Sequence, residues 1–389
     1  MNRILIKILS LLLIFPLVLS PITAFAGGEI PTAAETATLP LACKSAVLIE
    51  QTTGEILYEK NAAERLPIAS VTKIMTLLLT MEALENGVIS LEENVPISEL
   101  AASMGGSQAY LEPGEEITLN DVLKAVFVSS ANDGAVALAE LVSGSVDGFV
   151  AAMNEKAAAL GMQDTIFFNP TGLDDGEINL SSARDVAIMS KELLAYEKIY
   201  DYTKIWIDSI RGGAFGLSNT NKLIRFYPGA TGLKTGSTSK AKYCVSASAE
   251  RNGLKLCAVV LAGETSADRF NAAKTLLDHG FASYAFHKPE DTELPSVKVW
   301  GGKENEVKVC FDHSGFLLKK AESVGIEAET VLDTEVDAPV EKGQTLGKIL
   351  YKKDGAVIRE IPLYAENSVE ALSYKDVLTR LLRIFFVGK

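Results

Sequence analysis

The stretch from Arg65 to Thr76 reads RLPIASVTKIMT and places a serine and a lysine three residues apart among mostly apolar neighbours. The pattern that follows predicts a helix from about Ser70 to Glu85. Because three helical residues rotate the chain by about 300°, the side chains of Ser70 and Lys73 would lie on nearly the same face. A lysine can take the proton of a serine hydroxyl when burial or a second cation lowers its pKa. The spacing alone is common, and by itself it more often marks a helix cap or a surface pair.

Two further short motifs lie downstream in a fixed order. Ser130-Ala131-Asn132 falls at a predicted break between two helices, and Lys234-Thr235-Gly236 falls at the start of a predicted strand. S-x-x-K, S-D-N and K-T-G form the active-site signature of β-lactamases and penicillin-binding proteins, and this chain matches it with alanine in the middle of the second motif. Three ordered motifs, each in its expected context, predict a serine-type acyl-transfer site.

Each motif offers a different chemical group. Ser70 is the predicted nucleophile and Lys73 its base. Ser130 can pass a proton to the leaving group, while the charge of Lys234 would lower the pKa of Lys73 and attract a substrate carboxylate. The amide of Asn132 can hold a peptide carbonyl of the substrate and orient the Lys73 side chain.

The strand that carries the third motif is predicted to bind substrate along its edge. Gly236 leaves room for an extended peptide, whose backbone would pair with the strand edge. The hydroxyls of Thr235 and Ser237 can hydrogen-bond a terminal carboxylate. The backbone N–H groups of Ser70 and Ser237 would together form an oxyanion hole.

Residues 40–286 are predicted to form the catalytic domain. They begin with two strands joined by a hairpin turn at Thr53-Gly54 and end with strands joined by a turn at Asn252-Gly253, followed by a helix near 266–284. The middle is largely helical, and Thr118 with Asp121 resembles a capping box. Because the terminal strands can pair with each other, the predicted architecture is α+β, an antiparallel sheet packed against a helical cluster.

The remainder of the chain has a different pattern. After the polar linker HKPEDTELPS, residues 295–366 alternate in short, glycine-broken runs that predict a small all-β domain. Residues 371–389 place Val377, Leu381 and Phe385 at helical spacing among basic residues, which predicts an amphipathic helix lying at a membrane surface. The alternative is a terminal helix docked on the protein's own core.

The first 26 residues predict a secretory signal peptide, with Arg3 and Lys7 before an apolar run and an A-x-A site ending at Ala26. A retained transmembrane anchor is the alternative. The protein would therefore be exported and act outside the cytoplasm, at the outer face of the cytoplasmic membrane. The net charge is −13, and removal of this segment would make it more negative by two, so a nucleic-acid partner is not expected.

The four cysteines and three histidines lack metal-ligand or redox spacing, so neither a metal nor another cofactor is expected. Cys244, Cys257 and Cys310 have apolar, strand-like neighbours and are predicted to be buried small hydrophobes. A disulfide between Cys244 and Cys257 would require their two strands to pair in the right register.

Taken together, the sequence resembles the low-molecular-mass penicillin-binding proteins, the secreted D-alanyl-D-alanine carboxypeptidases. The resemblance covers nearly the whole mature chain and includes GGSQAYLEPGE, SANDGAVALAELVSG, PGATGLKTG and the late APVEKGQTLGKI. It implies the β-lactamase/penicillin-binding-protein-like fold, the family's C-terminal β domain and its C-terminal membrane anchor. It also implies an acyl-enzyme on Ser70, formed from peptidoglycan stem peptides ending in D-Ala-D-Ala or from β-lactam antibiotics.

The chain departs from the resemblance at two places. Many relatives carry a histidine where this chain has Asn179 and Leu180, and a histidine after K-T-G where it has Ser237, which bears on substrate preference. A D,D-endopeptidase or transpeptidase on the same scaffold is the first alternative. A β-lactamase is the second, although Glu177 lies in a sequence context that does not match its deacylating glutamate. A catalytically silent penicillin sensor is the third.

Overall fold

The computed structural model describes residues 39–291 and 293–387. The predicted signal peptide at 1–26 and the last two residues of the predicted terminal helix lie outside them. The strands before residue 290 are β1 (Ser45–Glu50), β2 (Ile56–Lys60), β3 (Leu66–Pro67), β4 (Asn94–Val95), β5 (Ile117–Thr118), β6 (Leu180–Ser181), β7 (Ile207–Ile210), β8 (Phe215–Ser218), β9 (Ala230–Thr238), β10 (Lys242–Arg251), β11 (Leu254–Gly263) and β12 (Tyr284–His287).

One five-stranded antiparallel sheet, in the order β2-β1-β11-β10-β9, forms the centre of this part. The predicted pairing of the chain's early and late strands is confirmed, because β1 lies beside β11 with Val47 opposite Val259. Asn252 and Gly253 both have positive φ, as a two-residue hairpin turn requires, so the predicted turn between β10 and β11 is also confirmed. Strand β9 is left at the edge, where one side of its backbone is unpaired.

Nine helices of this part surround the sheet in the described residues. They are α1 (Lys73–Glu85), α2 (Glu99–Ala102), α3 (Leu119–Ser129), α4 (Asn132–Ser143), α5 (Val146–Ala159), α6 (Ala183–Leu194), α7 (Tyr200–Thr203), α8 (Leu223–Phe226) and α9 (Ser266–Ser283). Helix α3 begins where predicted, because the Thr118 hydroxyl accepts the Asp121 N–H. A full capping box of Thr265 and Asp268 opens α9.

The two faces of the sheet bury two separate apolar cores. Alternation along β1 sends Val47 and Ile49 into the larger core, which the helical cluster of α1 and α3–α6 closes. The same alternation sends Ala46 and Leu48 to the other face, where α9 covers them. The sheet is thus buried on both faces, and β9 is one of its two edge strands.

The C-terminal part is built of short strands and one terminal helix. These elements are β13 (Val297–Trp300), β14 (Glu306–Val307), β15 (Val309–Cys310), β16 (Phe316–Lys319), β17 (Glu327–Leu332), β18 (Glu335–Asp337), β19 (Thr345–Lys353), β20 (Ala356–Ala365) and α10 (Tyr374–Val387). Sheets of order β14-β13-β18 and β15-β20-β19-β17 enclose two small apolar cores. Strand β16 pairs antiparallel with β12, so the segment after α9 joins this part.

The cysteine predictions are partly wrong. Cys244 and Cys257 are buried as expected, but Cys310 is exposed because it lies on a two-residue strand whose neighbour Val309 faces the core instead. All four cysteines, which lie in the described part, are free. The register places Ser248 opposite Cys257, several residues from Cys244, so these two cysteines cannot form the disulfide that the sequence left open.

Helix α10 presents an apolar face to solvent. Its exposed side chains include Leu378, Leu381, Leu382 and Phe385, the last 89% exposed. Within the described residues no single helix is both long and apolar enough to cross a membrane, whereas α4 and α5, bent by 83° at their junction, meet that test only as a pair.

Candidate active site

The predicted nucleophile lies on a tight turn before a helix. The helix that was expected to start at Ser70 starts at Lys73 instead, and Ala69–Thr72 forms a 3₁₀ turn. This difference reflects the backbone of Ala69, whose φ of 47° is in the left-handed region that an alanine rarely adopts. The strained residue turns the chain sharply from β3 into the site, so that Ser70 is placed beside Lys73.

The side chain of Lys73 is completely buried and its Nζ contacts three oxygens. It lies 3.0 Å from Ser70 Oγ, 2.6 Å from Asn132 Oδ1 and 2.7 Å from the carbonyl oxygen of Thr171. Burial and then the nearby charge of Lys234 hold the pKa of Lys73 well below its ordinary value, against a smaller opposing effect of Asp133. The structure therefore favours a neutral amine next to the serine.

The second motif lies at the junction of α3 and α4. Ser130 ends α3 with a left-handed backbone, φ 64°, and α4 starts at Asn132. The Asn132 amide bridges two parts of the site, since its Oδ1 accepts from Lys73 and its Nδ2 donates to the Gly105 carbonyl at 2.7 Å. The helix break thus points both Ser130 and Asn132 toward the lysine pair.

Lys234 is buried on β9 and donates to Ser130 Oγ at 2.7 Å. Burial, together with the charge of Arg269, lowers its pKa to about 7. The Arg269 guanidinium lies behind the strand and donates from Nη1 to the Gly236 carbonyl at 3.0 Å and to the Cys244 carbonyl at 3.2 Å. The charge of Arg269 thus lowers the pKa of Lys234, and the charge of Lys234 lowers the pKa of Lys73 beside the Ser70 hydroxyl.

The remaining residues of the third motif differ in their surroundings. The Thr235 hydroxyl donates to Thr220 Oγ1 at 2.7 Å, and Ser237 is exposed at the strand edge. A Cβ on Gly236 would lie 2.8 Å from the Ile68 carbonyl oxygen and 2.9 Å from the Ser70 nitrogen. Glycine at this position is thus required for β9 to approach the nucleophile turn, a reason beyond the predicted room for substrate.

The loop 168–180 closes the site from the other side. Buried Asn179 donates to Thr72 Oγ1 at 2.9 Å and accepts the Phe168 N–H at 2.7 Å, which fixes the loop on the nucleophile turn. The loop presents the Thr171 carbonyl to Lys73, whereas the Glu177 side chain is exposed to solvent. The loop thus contacts Lys73 Nζ through the Thr171 carbonyl oxygen and not through a carboxylate.

Several positioning residues were not found by sequence reasoning. The buried Asp133 carboxylate accepts the N–H groups of Ala109 and Leu111, which holds the loop that contacts Asn132. Its place directly after the second motif is a signal that could have identified it. Thr220 and Arg269 lie far from any motif, and only the fold brings them to β9. Among the described residues, no group of three acidic, histidine or cysteine side chains is arranged to hold a metal ion.

Two models of known protein families match this chain. The family model described as "D-alanyl-D-alanine carboxypeptidase" matches residues 31–265, and the model described as "Penicillin-binding protein 5, C-terminal domain" matches residues 286–371. The chain belongs to the D-alanyl-D-alanine carboxypeptidase family. It is a serine-type peptidase, which confirms the predicted family and enzyme class.

Relatives in this family match most of the chain. The D-alanyl-D-alanine carboxypeptidase DacF of Bacillus subtilis (strain 168) is 44% identical over 346 residues, which are 87% of this chain and 89% of that protein. The solved structure of penicillin binding protein 5 from Haemophilus influenzae superposes with a TM-score of 0.71 at 31% identity, over 85% of this chain and 98% of that one. The predicted α+β fold with a C-terminal β domain is thereby confirmed.

A third comparison concerns the catalytic part. The ampicillin-bound structure of Penicillin-Binding Protein D2 from Listeria monocytogenes has a TM-score of 0.58 and 32% identity, and it covers 62% of this chain and 99% of that one. The shared region thus forms a fold that, in that relative, binds a β-lactam.

Gly172 provides a test of how the loop and the nucleophile turn fit together. Its φ is +81°, and a Cβ there would lie 2.0 Å from the Ala69 carbonyl oxygen, so Gly172→Ala should lower the free energy of unfolding by about 2 kcal/mol or more. Gly176, in the same loop, has open space where a Cβ would be added, with nothing within 4 Å, and gives the matched control Gly176→Ala. Urea unfolding and the rate of β-lactam acylation measure both variants. Equal stability and acylation in the two would contradict the close packing described.

Proposed function

We propose that this enzyme releases the terminal D-alanine from peptidoglycan stem peptides through an acyl-enzyme on Ser70. The observation that carries the proposal is the contact set of the Lys73 amine. A neutral amine has two N–H groups and one lone pair. It can donate both N–H groups to Asn132 Oδ1 and the Thr171 carbonyl, whose oxygens only accept, and use its lone pair to accept the Ser70 hydroxyl proton.

The proposed acylation then proceeds in three proton transfers. As Ser70 Oγ attacks the carbonyl carbon between the two terminal D-alanines, its proton moves to Lys73 Nζ. The backbone N–H groups of Ser70 and Ser237 stabilise the oxyanion. Ser130, which lies 2.7 Å from Lys234 Nζ, gives its proton to the departing amine as the C–N bond breaks, and it regains a proton from the lysines. Water later hydrolyses the ester and restores Ser70.

Recognition of the free terminal carboxylate is assigned to the β9 side of the site. The positive charge of Lys234 attracts the carboxylate, and the hydroxyls of Thr235 and Ser237 are placed to hydrogen-bond it. Thr220, whose Oγ1 accepts the Thr235 hydroxyl at 2.7 Å, adds a third hydroxyl at the same place. The substrate backbone lies along the unpaired edge of β9, and β-lactams, which also carry a carboxylate, acylate the same serine.

We assign catalysis to residues 40–286 and a spacing or docking role to residues 295–366.

The alternative functions on this scaffold are less well supported by the contacts of the site. The buried site around Lys73 contains a loop carbonyl where a β-lactamase would need a glutamate, and Glu177 points to solvent. A penicillin sensor would use the same acylating groups, so release of D-alanine is the measurement that separates it from a peptidase.

Release of D-alanine tests the proposed nucleophile. The purified chain should release D-alanine from a diacyl-D-Ala-D-Ala tripeptide, and Ser70→Ala should lower the rate by at least about a thousandfold because the attacking hydroxyl is gone. Ser90→Ala, which removes an exposed serine hydroxyl outside the motifs, serves as the control. Labelling by penicillin with no release of D-alanine would show a sensor instead of a peptidase.

We further propose that the protein acts outside the cytoplasm, bound to the outer face of the cytoplasmic membrane through residues 371–389. The described part of this segment, α10, has Leu381 and Phe385 exposed on one face although both are apolar. A large apolar stripe exposed on a short terminal helix with basic residues is typical of a helix that lies in a bilayer interface.

Binding to vesicles that contain anionic lipid tests this helix. The double variant Leu381→Glu/Phe385→Glu should lose at least about tenfold in bound fraction, because two charges would enter the apolar layer. Thr379→Glu adds a charge at an exposed position outside the apolar face and should bind much more like wild type. Co-sedimentation measures all three proteins. A wild-type chain that stays in the supernatant would refute the proposed anchor.

A further inference from the structure

The loop between α2 and β5 holds one aromatic side chain in solvent. Tyr110 has a φ of 54°, in the left-handed region, which is an outlier for a bulky residue. Its neighbours Ala109 and Leu111 are buried, yet Tyr110 itself is 67% exposed. The backbone is thus strained at a residue whose ring contributes little to the core, and strain of this kind is found where a side chain meets a ligand.

Two charged side chains hold this strained backbone in place. The Asp133 carboxylate accepts the N–H of Ala109 at 2.9 Å and that of Leu111 at 3.1 Å. The Arg211 guanidinium donates from Nη1 to the Ala109 carbonyl and from Nη2 to the Tyr110 carbonyl, both at 2.9 Å. Hydrogen bonds to charged groups are stronger than those between neutral groups. Four of them therefore fix the backbone around Tyr110 while its side chain points outward.

A second ring supports Tyr110. Phe215 on β8 meets the Tyr110 ring edge to face, with the ring centroids 6.0 Å apart. The Arg211 guanidinium lies 5.6 Å from the Phe215 centroid and forms an ion pair with Glu115. We refer to Tyr110 and Phe215 as the aromatic pair. Because backbone and neighbouring ring are both held, the pair presents a fixed apolar surface to solvent.

The loop that carries Tyr110 borders the catalytic site. The Gly105 carbonyl accepts from Asn132 Nδ2 at 2.7 Å, and the Ser107 carbonyl accepts the Asn132 backbone N–H at 2.7 Å. A Cβ on Gly106 would lie 2.8 Å from Asn132 Nδ2, so the loop backbone packs directly on this amide. An amide nitrogen has two N–H groups, and the second one remains for a carbonyl of the substrate. The aromatic pair thus belongs to the loop beside the amide that is assigned to the substrate.

The direction of the substrate decides which of its parts reaches the aromatic pair. In the proposed mechanism the departing D-alanine lies toward Ser130, and its carboxylate lies at Lys234 and Thr235. The acyl group stays on Ser70 and extends away from these contacts, past the amide of Asn132. In a stem peptide the residue before the two D-alanines is a diamino acid whose side chain contains several methylene groups. This aliphatic chain is the part of the acyl group suited to an apolar surface beyond the amide.

We infer that the aromatic pair is a specificity-determining subsite that binds the long aliphatic side chain of the residue before D-Ala-D-Ala. The methylene groups of that side chain lie against the Tyr110 ring, whose position Phe215 fixes. The contact is made by the acyl part of the substrate, so it persists in the acyl-enzyme. The same surface receives the acylamino side chain of a β-lactam. This inference rests on the proposed function.

Two peptides that differ in one side chain test the subsite. They are diacetyl-L-lysyl-D-alanyl-D-alanine and acetylglycyl-D-alanyl-D-alanine, and D-alanine release gives kcat/KM for each. Tyr110→Ala should lower kcat/KM on the lysine peptide about tenfold more than on the glycine peptide, because only the lysine peptide has an aliphatic chain to lose contact. Tyr110→Phe, which keeps the ring, should preserve the wild-type preference.

A matched control is Phe226→Ala in α8. Phe226 is also exposed, at 62%, and also meets a second ring edge to face, that of Trp206 at 6.0 Å. This variant should show the wild-type preference for the lysine peptide. Equal losses on the two peptides in Tyr110→Ala would show a merely structural role and overturn the inference. An unchanged kcat/KM on the lysine peptide would overturn it as well.

Acylation by β-lactams keeps the test independent of D-alanine release. Benzylpenicillin and 6-aminopenicillanic acid share the fused rings and the carboxylate, but only benzylpenicillin has an acyl side chain. Tyr110→Ala should slow acylation by benzylpenicillin about fivefold more than acylation by 6-aminopenicillanic acid. An equal effect on both compounds would overturn the inference. If wild type releases D-alanine from neither peptide, the proposed function fails, whereas a selective loss with benzylpenicillin would still support the aromatic pair as the acyl subsite.

Discussion

Nζ of Lys73 contacts three oxygens inside the protein, and the elements around the site supply or support those contacts. Ser70 comes from the strained turn at Ala69, Asn132 from the start of α4, and the Thr171 carbonyl from a loop that Asn179 ties to the same turn. Burial of an amine is costly unless it is neutral and its hydrogen bonds are satisfied. The fold meets both conditions, and the same conditions leave the lone pair facing the serine.

Three basic side chains, those of Lys73, Lys234 and Arg269, are buried in the site. Lys234 is held near Ser130, and its charge disfavours a proton on Lys73, while Arg269 behind β9 disfavours a proton on Lys234 in turn. A bound substrate carboxylate would relieve this repulsion. The positive charge of Lys234 that keeps Lys73 neutral would therefore also attract the carboxylate of the substrate.

Sequence alone predicted the three motifs, the family and the sheet, because each depends on local pattern or on the order of elements. The alternation of Val47 and Ile49, the turn at Asn252-Gly253 and the cap at Thr118 follow such rules. Other features depend on distant segments meeting in space, so no local signal shows them. Arg269 behind β9, Asn179 as a clamp and the exposure of Cys310 belong to this group. The start of α1 was misplaced because the strained φ of Ala69 follows from packing, not from propensity.

We propose that burial and the charge of Lys234 keep Lys73 neutral, so that it can act as the base for Ser70. The most direct measurement is the pH dependence of the second-order rate of β-lactam acylation, whose acid limb reports the protonation of Lys73 in the free enzyme. The limb should have its midpoint well below 10.5, the ordinary lysine value, since protonation removes the lone pair as pH falls. In Lys234→Gln the midpoint should move to higher pH, because a cation that disfavours protonation is gone. A wild-type midpoint near 10.5, or no upward movement in Lys234→Gln, would show that burial and Lys234 do not keep Lys73 neutral.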